Sequence, residues 1–217
     1  MQTDFDIFSK KNLSPVGTLL GLSALRSERS LSREEYLKVC ERFPDLHIER
    51  EKNGTITVMS PVLKGTGRRE SALHGLLYIW FHAKKLGELY GPSAGFDLPD
   101  GSTKQPDAAW ISPVRLAEGE PDDDEEFIKT VPDFVGEVRS SSDSMGQLRK
   151  KMTNSWMKNG VRLGWLIDPY DEKAYIYRQG EKEPEIVKGF DNKSLSGEGV
   201  LPGFKLDLSE FKIKRKQ

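Results

Sequence analysis

The stretch that decides the fold is Pro132-Asp133-Phe134-Val135-Gly136-Glu137-Val138-Arg139, a run of β-forming residues with Glu137 in its interior. A helical pattern follows from about Met145 to Asn159, and then comes the nearly continuous apolar run Arg162–Asp168. An apolar run of this kind is typical of a strand that is buried on both faces. Two strands joined by a crossover helix lie parallel in one sheet. The three segments together predict an α/β fold built around a mixed sheet.

The segments before this stretch support the same fold class. Leu31–Glu35 has the pattern of a helix start with a capping box, and Lys52-Asn53-Gly54 is a strong hairpin turn signal. A long helical pattern over Gly67–Leu86 precedes two expected strands, Glu88–Leu98 and Lys104–Ser112. We therefore expect a mixed sheet flanked by helices on both faces, with an N-terminal helix and hairpin as an addition.

Composition indicates a globular chain in a reducing compartment. Of the 217 residues, 31% are charged and 36% hydrophobic, and the formal net charge of −1 means that any nucleic-acid surface must be local. Cys40 is the single cysteine, so no internal disulfide can form, and no apolar run is long enough to span a membrane. We expect a cytoplasmic protein with a single domain over residues 31–210, a partly ordered arm at 1–30 and a basic tail at 211–217.

Two carboxylates stand in strand-like apolar surroundings. Asp107 follows Gln105-Pro106 at the mouth of an apolar run, and Glu137 lies inside the next predicted strand. A carboxylate in such a place is costly unless a cation or hydrogen-bond donors meet it, and two on neighbouring strands repel each other. A bound divalent cation relieves both costs. The pattern predicts a Mg²⁺-type site at a sheet edge.

Two sources of positive charge follow Glu137 in the sequence. Arg139 is two residues further along the same strand and so points to the same face, whereas Lys150 and Lys151 lie in the following helix. Either source could stabilise negative charge that develops on a phosphodiester. The spacing alone does not choose between them.

A second basic group lies near the start of the first long helix. It consists of Lys64, Arg68 and Arg69. Such a cluster could bind phosphates, but it is equally what a solvated helix face looks like.

Four stretches of the chain resemble the Uma-type (Uma-two) family of bacterial restriction-endonuclease-like proteins, and together they span roughly residues 31–190. They are Leu31-Ser32-Arg33-Glu34-Glu35-Tyr36, Val58-Met59-Ser60-Pro61, Pro132–Val138 and Asn159–Pro169. In addition, Pro106-Asp107 followed by Glu137-x-Arg139 resembles the PD-(D/E)XK pattern of the wider nuclease superfamily.

The resemblance implies a restriction-endonuclease-like core, a Mg²⁺ (or Mn²⁺) site and DNA as the expected partner. It implies that Asp107 and Glu137 are metal ligands, and that Glu49 completes the acidic cluster. It also implies a catalytic cation. The superfamily pattern has lysine where this chain has Arg139. Lys151, in the following helix, is the first candidate for the catalytic cation, and Arg139 itself is the second. Glu70 matches a further acidic position of the superfamily.

Three hypotheses for function remain open at this stage. The first is a Mg-dependent endonuclease that hydrolyses DNA phosphodiester bonds with Asp107, Glu137 and a nearby cation. The second is a noncatalytic DNA- or protein-binding module that retains the nuclease fold. The third is a structural α/β domain in which the carboxylates form ion pairs with Arg139 and Lys151. A homodimer is expected by analogy with nucleases that cut both strands.

Overall fold

The computed structural model describes residues 24–27, 29–119 and 123–214. Most of the predicted arm at 1–30 and the end of the predicted basic tail at 211–217 lie outside the described residues. Residues 24–26 of the arm form an edge strand.

The strands within these residues are short. In chain order they are β1 (Ala24–Arg26), β2 (His47–Arg50), β3 (Ile56–Met59), β4 (Glu88–Tyr90), β5 (Phe96–Asp97), β6 (Thr103–Lys104), β7 (Ala108–Ile111), β8 (Phe134–Val138), β9 (Leu163–Asp168), β10 (Lys173–Arg178), β11 (Glu185–Lys188), β12 (Ser194–Ser196) and β13 (Lys205–Asp207).

The helices include one that changes its winding along its length. They are α1 (Arg33–Arg42), α2 (Lys64–Lys84), α3 (Pro113–Glu118) and α4 (Met145–Lys150), with a 3₁₀ turn at Leu208–Phe211. After α4 the helix continues as a π-helical segment, Lys151–Trp156, and a 3₁₀ turn, Met157–Asn159. It ends at Gly160, whose φ of 103° is in the left-handed region that glycine adopts without strain.

The central sheet has six strands in the order β11-β10-β9-β8-β7-β4. Strands β8 and β9, joined by α4, are parallel and pair Glu137 with Leu166, whereas the other neighbours are antiparallel. The predicted mixed sheet and its parallel crossover are therefore confirmed.

Helices cover both faces of this sheet because its side chains alternate between them. On one face, Leu73 and Leu77 of α2 pack with Trp110 and Trp165. On the other face, Trp156 of the π-helical segment packs with the side chains of these strands that point away from α2. The predicted covering of both faces is confirmed, and every tryptophan of the chain is in the core.

A second sheet, in the order β1-β3-β2-β6-β5, lies at the N-terminal side. Helix α1 packs on it through Tyr36, whose hydroxyl donates to the carbonyl of Ile48 at 2.9 Å. The capping box is present, since Ser32 accepts from the amide of Glu35 while the Glu35 carboxylate accepts from the amide of Ser32. The predicted N-terminal helix and hairpin are thus present.

The predicted lengths of two strands, Glu88–Leu98 and Lys104–Ser112, were wrong. Each divides into two strands that belong to different sheets, because Pro92 and Pro106 lack the N–H that a continuous ladder needs. The chain therefore passes from the central sheet to the second sheet and back. This return brings β6 beside Glu49 of β2 and places Asp107 at the start of β7.

Two smaller differences concern element ends and a missed strand. Helix α2 begins at Lys64 instead of Gly67, so part of the predicted loop is helical. Strand β12 was not predicted, and it pairs with β13.

Candidate active site

Asp107 and Glu137 meet at one edge of the β7–β8 pair. The antiparallel register sets Ala108 opposite Gly136. Asp107, which precedes Ala108, is therefore close to Glu137, which follows Gly136. The amide of Val138 donates to Asp107 Oδ2 at 2.6 Å, which fixes the Asp107 carboxylate beside Glu137. The structure thus brings together the two acids on which the sequence analysis depended.

Both acids are harder to ionise than free carboxyl groups. Desolvation is the main cause that raises the pKa of Asp107 well above its usual value, although the residue as a whole keeps some contact with solvent, and the charges of Glu137 and Glu70 add to the effect. Desolvation likewise raises the pKa of Glu137, despite the opposing ammonium of Lys151. Glu70, on α2, has its pKa raised by desolvation and by the charges of Asp143 and Glu137. The site therefore has more carboxylates than its own cations neutralise.

Lys151 supplies the ammonium of the site. Its Nζ lies 2.9 Å from Glu137 Oε1, 2.8 Å from Glu49 Oε1 and 2.7 Å from the carbonyl oxygen of Gln105. Trp156, five residues further along the π-helical segment, donates through Nε1 to Glu137 Oε1 at 2.8 Å. The π-helical winding therefore begins at the residue that reaches the site.

The ammonium of Lys151 remains charged at any working pH. Burial opposes the charge, but Glu137 and Glu49 outweigh burial and raise the pKa of Lys151 above its usual value. Lys151 can therefore donate hydrogen bonds and supply positive charge, and it cannot act as a general base near neutral pH.

Glu49 lies in a different environment from the other two acids. Besides Lys151, it is 3.3 Å from Lys104 Nζ through Oε2, and its Oε1 accepts from the amide of Gln105 at 3.1 Å. Burial by itself would raise the pKa of Glu49, but the two ammonium groups and this amide outweigh it and lower the pKa to about 2. Lys104 in turn contacts Glu51 Oε1 at 2.6 Å.

The other predicted cations are placed away from this cluster. Arg139 donates through its terminal nitrogen to Asp168 Oδ2 at 2.9 Å, and its guanidinium lies over the ring of Tyr170. Lys150 is exposed on α4. Of the three candidates, Lys151 is the one whose ammonium contacts Glu137.

The donor set suits a hard divalent cation, although it is not assembled as a closed cage. Asp107 and Glu137 offer oxygen ligands, and Gln105 Oε1 is buried with no hydrogen-bond donor in the part of the chain described. Over the same residues, no three Asp, Glu, His or Cys side chains converge closely enough to hold a metal ion. The residues that could hold Mg²⁺ or Mn²⁺ are therefore Asp107 and Glu137, with Glu49 already neutralised by lysines.

The sequence analysis missed Lys104, Gln105 and Trp156 as parts of the site. Lys104 and Gln105 directly precede Pro106-Asp107 in the sequence. They were missed because the whole of Lys104–Ser112 was predicted to be one strand. Trp156 is buried in the core, and its indole N–H, which donates to Glu137, gives it a second role.

The chain was then compared with known proteins. A family model, named Uma2 and described as "Putative restriction endonuclease", matches residues 33–209. The chain belongs to the Uma2 family. The resemblance that the sequence motifs indicated is therefore confirmed.

Solved structures support the same fold. A crystal structure described as "a putative nuclease belonging to DUF820" from Anabaena variabilis ATCC 29413 aligns with a TM-score of 0.68 at 19% identity. The alignment covers 83% of this chain and 97% of that chain. At this identity the likeness shows that this Uma2 chain has the fold of that protein.

Two further comparisons carry less weight. A cryo-EM structure of a DrdV–DNA complex aligns with a TM-score of 0.35 and 16% identity over 56% of this chain and 10% of that one, which is too weak to support an argument. No curated protein matches this chain.

Within the residues that the structure describes, no helix combines the length and the apolar character that crossing a membrane requires.

Proposed function

We propose that this Uma2 protein is a metal-dependent endonuclease that hydrolyses DNA phosphodiester bonds. One observation carries the proposal: Asp107 and Glu137 meet at one end of the β7–β8 strand pair, where the Lys151 ammonium contacts Glu137 and burial raises the pKa of both acids. The family description supports the reaction class. The net charge of −1 does not favour DNA globally, so binding depends on local basic groups.

Asp107 and Glu137 would hold Mg²⁺ or Mn²⁺ between them. A divalent ion in this position supplies a Lewis acid for the phosphoryl oxygen and lowers the pKa of water. Val138 keeps Asp107 oriented through its amide, and Trp156 does the same for Glu137 through its indole N–H. Preorganisation of this kind leaves the carboxylates little freedom to lose when the ion binds.

Lys151 would stabilise negative charge on the phosphoryl group. Its ammonium contacts Glu137, and it is also held by Glu49 of the second sheet and by the carbonyl of Gln105 in the segment between β6 and β7. Glu49 is proposed here to position Lys151, because a carboxylate between two ammonium groups gains little from a third cation. Its role as a metal ligand stays a prediction that metal binding tests directly.

A noncatalytic module is the second candidate, and one observation favours it. Lys151 already forms ion pairs with Glu137 and Glu49, and no closed metal cage is present among residues 24–27, 29–119 and 123–214. Under this alternative the protein binds DNA or a protein partner, and the acids are structural. The expected homodimer also stays a prediction; light scattering of the purified chain tests it.

Cleavage of plasmid DNA in Mg²⁺ or Mn²⁺ tests the proposal. We expect Glu137→Gln to abolish cleavage because it removes a proposed metal ligand. We expect Lys151→Met to reduce cleavage by about 10²-fold or more, since it removes the positive charge proposed to act on the reacting phosphate. Lys150→Met is the matched control, because Lys150 is the exposed neighbour of Lys151 on the same helix.

Cleavage that depends on the metal and survives in Lys150→Met would support the endonuclease. Folded wild-type protein that binds DNA but never cleaves it in either metal would favour the noncatalytic module.

A further inference from the structure

Helix α2 begins at the surface without a cap. Its N-cap residue is Leu63, no side chain caps the first turn, and that turn contains no acidic residue. Val62, Leu63 and Lys64 are exposed. The first amides of a helix lack intrahelical partners and carry partial positive charge, so this end of α2 is electrostatically prepared for an anion.

Arg69 is folded back onto this uncapped turn. It is only 3% exposed, and its terminal NH2 nitrogen has a long 3.4 Å contact with Thr66 Oγ1. A β-carbon built on Gly65 would lie 3.3 Å from the other terminal nitrogen of Arg69. The lack of a side chain at Gly65 therefore makes room for the guanidinium. Arg69 Nε is buried with no hydrogen-bond acceptor among the described residues.

The guanidinium of Arg69 forms no contact ion pair among the described residues, and its charge acts at longer range on Glu70, whose pKa it lowers against the larger, raising effect of burial. Over the residues that the structure describes, no salt bridge includes Arg69, and a buried guanidinium without an anion is costly. A structural role would satisfy its donors within the protein, as happens for its neighbour Arg68, which donates to the carbonyls of Glu210 and Lys212. Arg69 therefore presents an unsatisfied buried donor beside the uncapped turn.

A second arginine, Arg139, contacts the same aromatic ring as Arg69. The guanidinium carbons of Arg69 and Arg139 lie 5.8 Å and 5.3 Å from the ring centre of Tyr170. Asp168 pairs with Arg139 and so balances one of the two charges. Arg139 Nε is also buried without an acceptor in the described part of the chain. Of the two guanidinium groups, Arg69 is therefore the one that no carboxylate contacts among the described residues.

This corner adjoins the acidic pair. Arg69 precedes Glu70, whose pKa is raised partly by Glu137, and Arg139 is two residues beyond Glu137. A polynucleotide bound with one phosphate at the acids could present a neighbouring phosphate here.

We propose that the N-terminal turn of α2, Arg69 and Arg139 form a second anion site, which binds a nucleic-acid phosphate next to the one that is cleaved. The proposal rests on the proposed function for the identity of the ligand. The chemistry it needs is a tetrahedral oxyanion, so its test uses both inorganic phosphate and an oligonucleotide.

The first arm of the test titrates inorganic phosphate into metal-free protein and follows ¹H–¹⁵N signals. We expect saturable shifts at the amides of Lys64 and Gly65 and at Arg69 Nε, and their loss in Arg69→Gln. Arg149→Gln is the control, because Arg149 also lies over a tyrosine ring, that of Tyr175, but outside this corner. Arg69→Lys keeps the charge and is the second variant if Arg69→Gln does not fold.

The second arm measures binding of a short DNA oligonucleotide to the same metal-free proteins at several salt concentrations. We expect Arg69→Gln to weaken binding about tenfold and to lower the salt dependence by about one phosphate contact. If Arg69→Lys is used in its place, the charge stays, so we expect weaker binding from the lost guanidinium donors with the salt dependence unchanged. Arg149→Gln should stay within about twofold of the wild type.

Equal oligonucleotide affinity in the Arg69 variant and the wild type overturns the proposal, as does phosphate binding that leaves these signals unmoved. Phosphate binding without any effect on the oligonucleotide would show a site for free phosphate and overturn the nucleic-acid assignment. Glu137→Gln separates this proposal from the endonuclease. If that variant still cleaves but Arg69→Gln loses phosphate, the active site is wrong and the anion site stands.

Discussion

At the scale of single residues, the acids around Lys151 divide into two kinds. Glu49 is surrounded by two ammonium groups and an amide, and its pKa is lowered to about 2. Asp107 and Glu137 are desolvated and close to each other, and their pKa values are raised. The same side-chain chemistry therefore stabilises the fold at one position and strains it at the other, and substitutions should show opposite signs.

Replacing Glu49 should destabilise the protein. Glu49→Gln leaves Lys104 and Lys151 buried with one carboxylate fewer, so we expect a loss of about 3 kcal/mol in the free energy of unfolding at pH 7. Because the folded pKa is lowered, this stabilisation is complete above the usual pKa of 4.5 and is lost as the pH falls from there to about 2. Urea unfolding measures it.

Glu51→Gln is the control for that substitution. Glu51 contacts the same Lys104, but its side chain is 39% exposed, so its loss should cost less than about 1 kcal/mol. Equal losses in the two variants would contradict the role given to Glu49.

Replacing Asp107 should instead stabilise the metal-free protein at alkaline pH. A carboxyl group with a raised folded pKa reduces stability as the pH rises from its unfolded pKa through its folded pKa, by about 1.4 kcal/mol for every unit of difference. Asp107→Asn removes this cost and can still accept from Val138. We expect the variant to match the wild type near pH 4 and to be more stable at pH 8, by thermal or urea unfolding.

Asp171→Asn changes an exposed aspartate and should show no such trend with pH. A less stable Asp107→Asn at pH 8 would mean that Asp107 is an ordinary structural partner.

At the scale of elements, the sequence predicted the elements that carry a strong local signal. The capping box of α1, the Asn53-Gly54 turn and the β8–α4–β9 crossover all formed as expected. The two predicted strands that divide between sheets did not, because a proline in an apolar run marks a break without showing which sheet the chain joins next. Nor does local sequence show that the helix after α4 would widen to a π-helix at Lys151.

The contact of α2 with β8 depends on a glycine inside the strand. A β-carbon at Gly136 would lie 2.8 Å from Leu73 Cδ2, so Gly136→Ala forces α2 or Leu73 to move beside Glu137. We expect a loss of about 1–3 kcal/mol in stability, measured by chemical unfolding.

Gly75→Ala is the matched control on the same helix. Nothing lies within 4 Å of a β-carbon at Gly75, so alanine there should stabilise the helix by up to about 1 kcal/mol. A harmless Gly136→Ala would show that α2 is not packed on β8 as described.

At the scale of the whole molecule, the candidate site joins the two sheets. Glu49 comes from the second sheet, Glu137 from the central sheet and Lys151 from the helix that connects β8 with β9. The sequence indicated Asp107, Glu137 and Lys151 because each has a pattern or a family position. It could not show that Glu49 and Lys104 form ion pairs, since that follows from long-range strand order. The roles of all these residues stay predictions.

The measurement that tests the central claim most directly is calorimetric titration of Mn²⁺ and Mg²⁺ into metal-free protein. It compares the wild type with Asp107→Asn, Glu137→Gln and Glu49→Gln. We predict saturable binding in the wild type, its loss in Asp107→Asn and Glu137→Gln, and an affinity within about threefold of the wild type in folded Glu49→Gln. Absence of binding in the wild type, or equal binding in all four proteins, would contradict a metal site at Asp107 and Glu137.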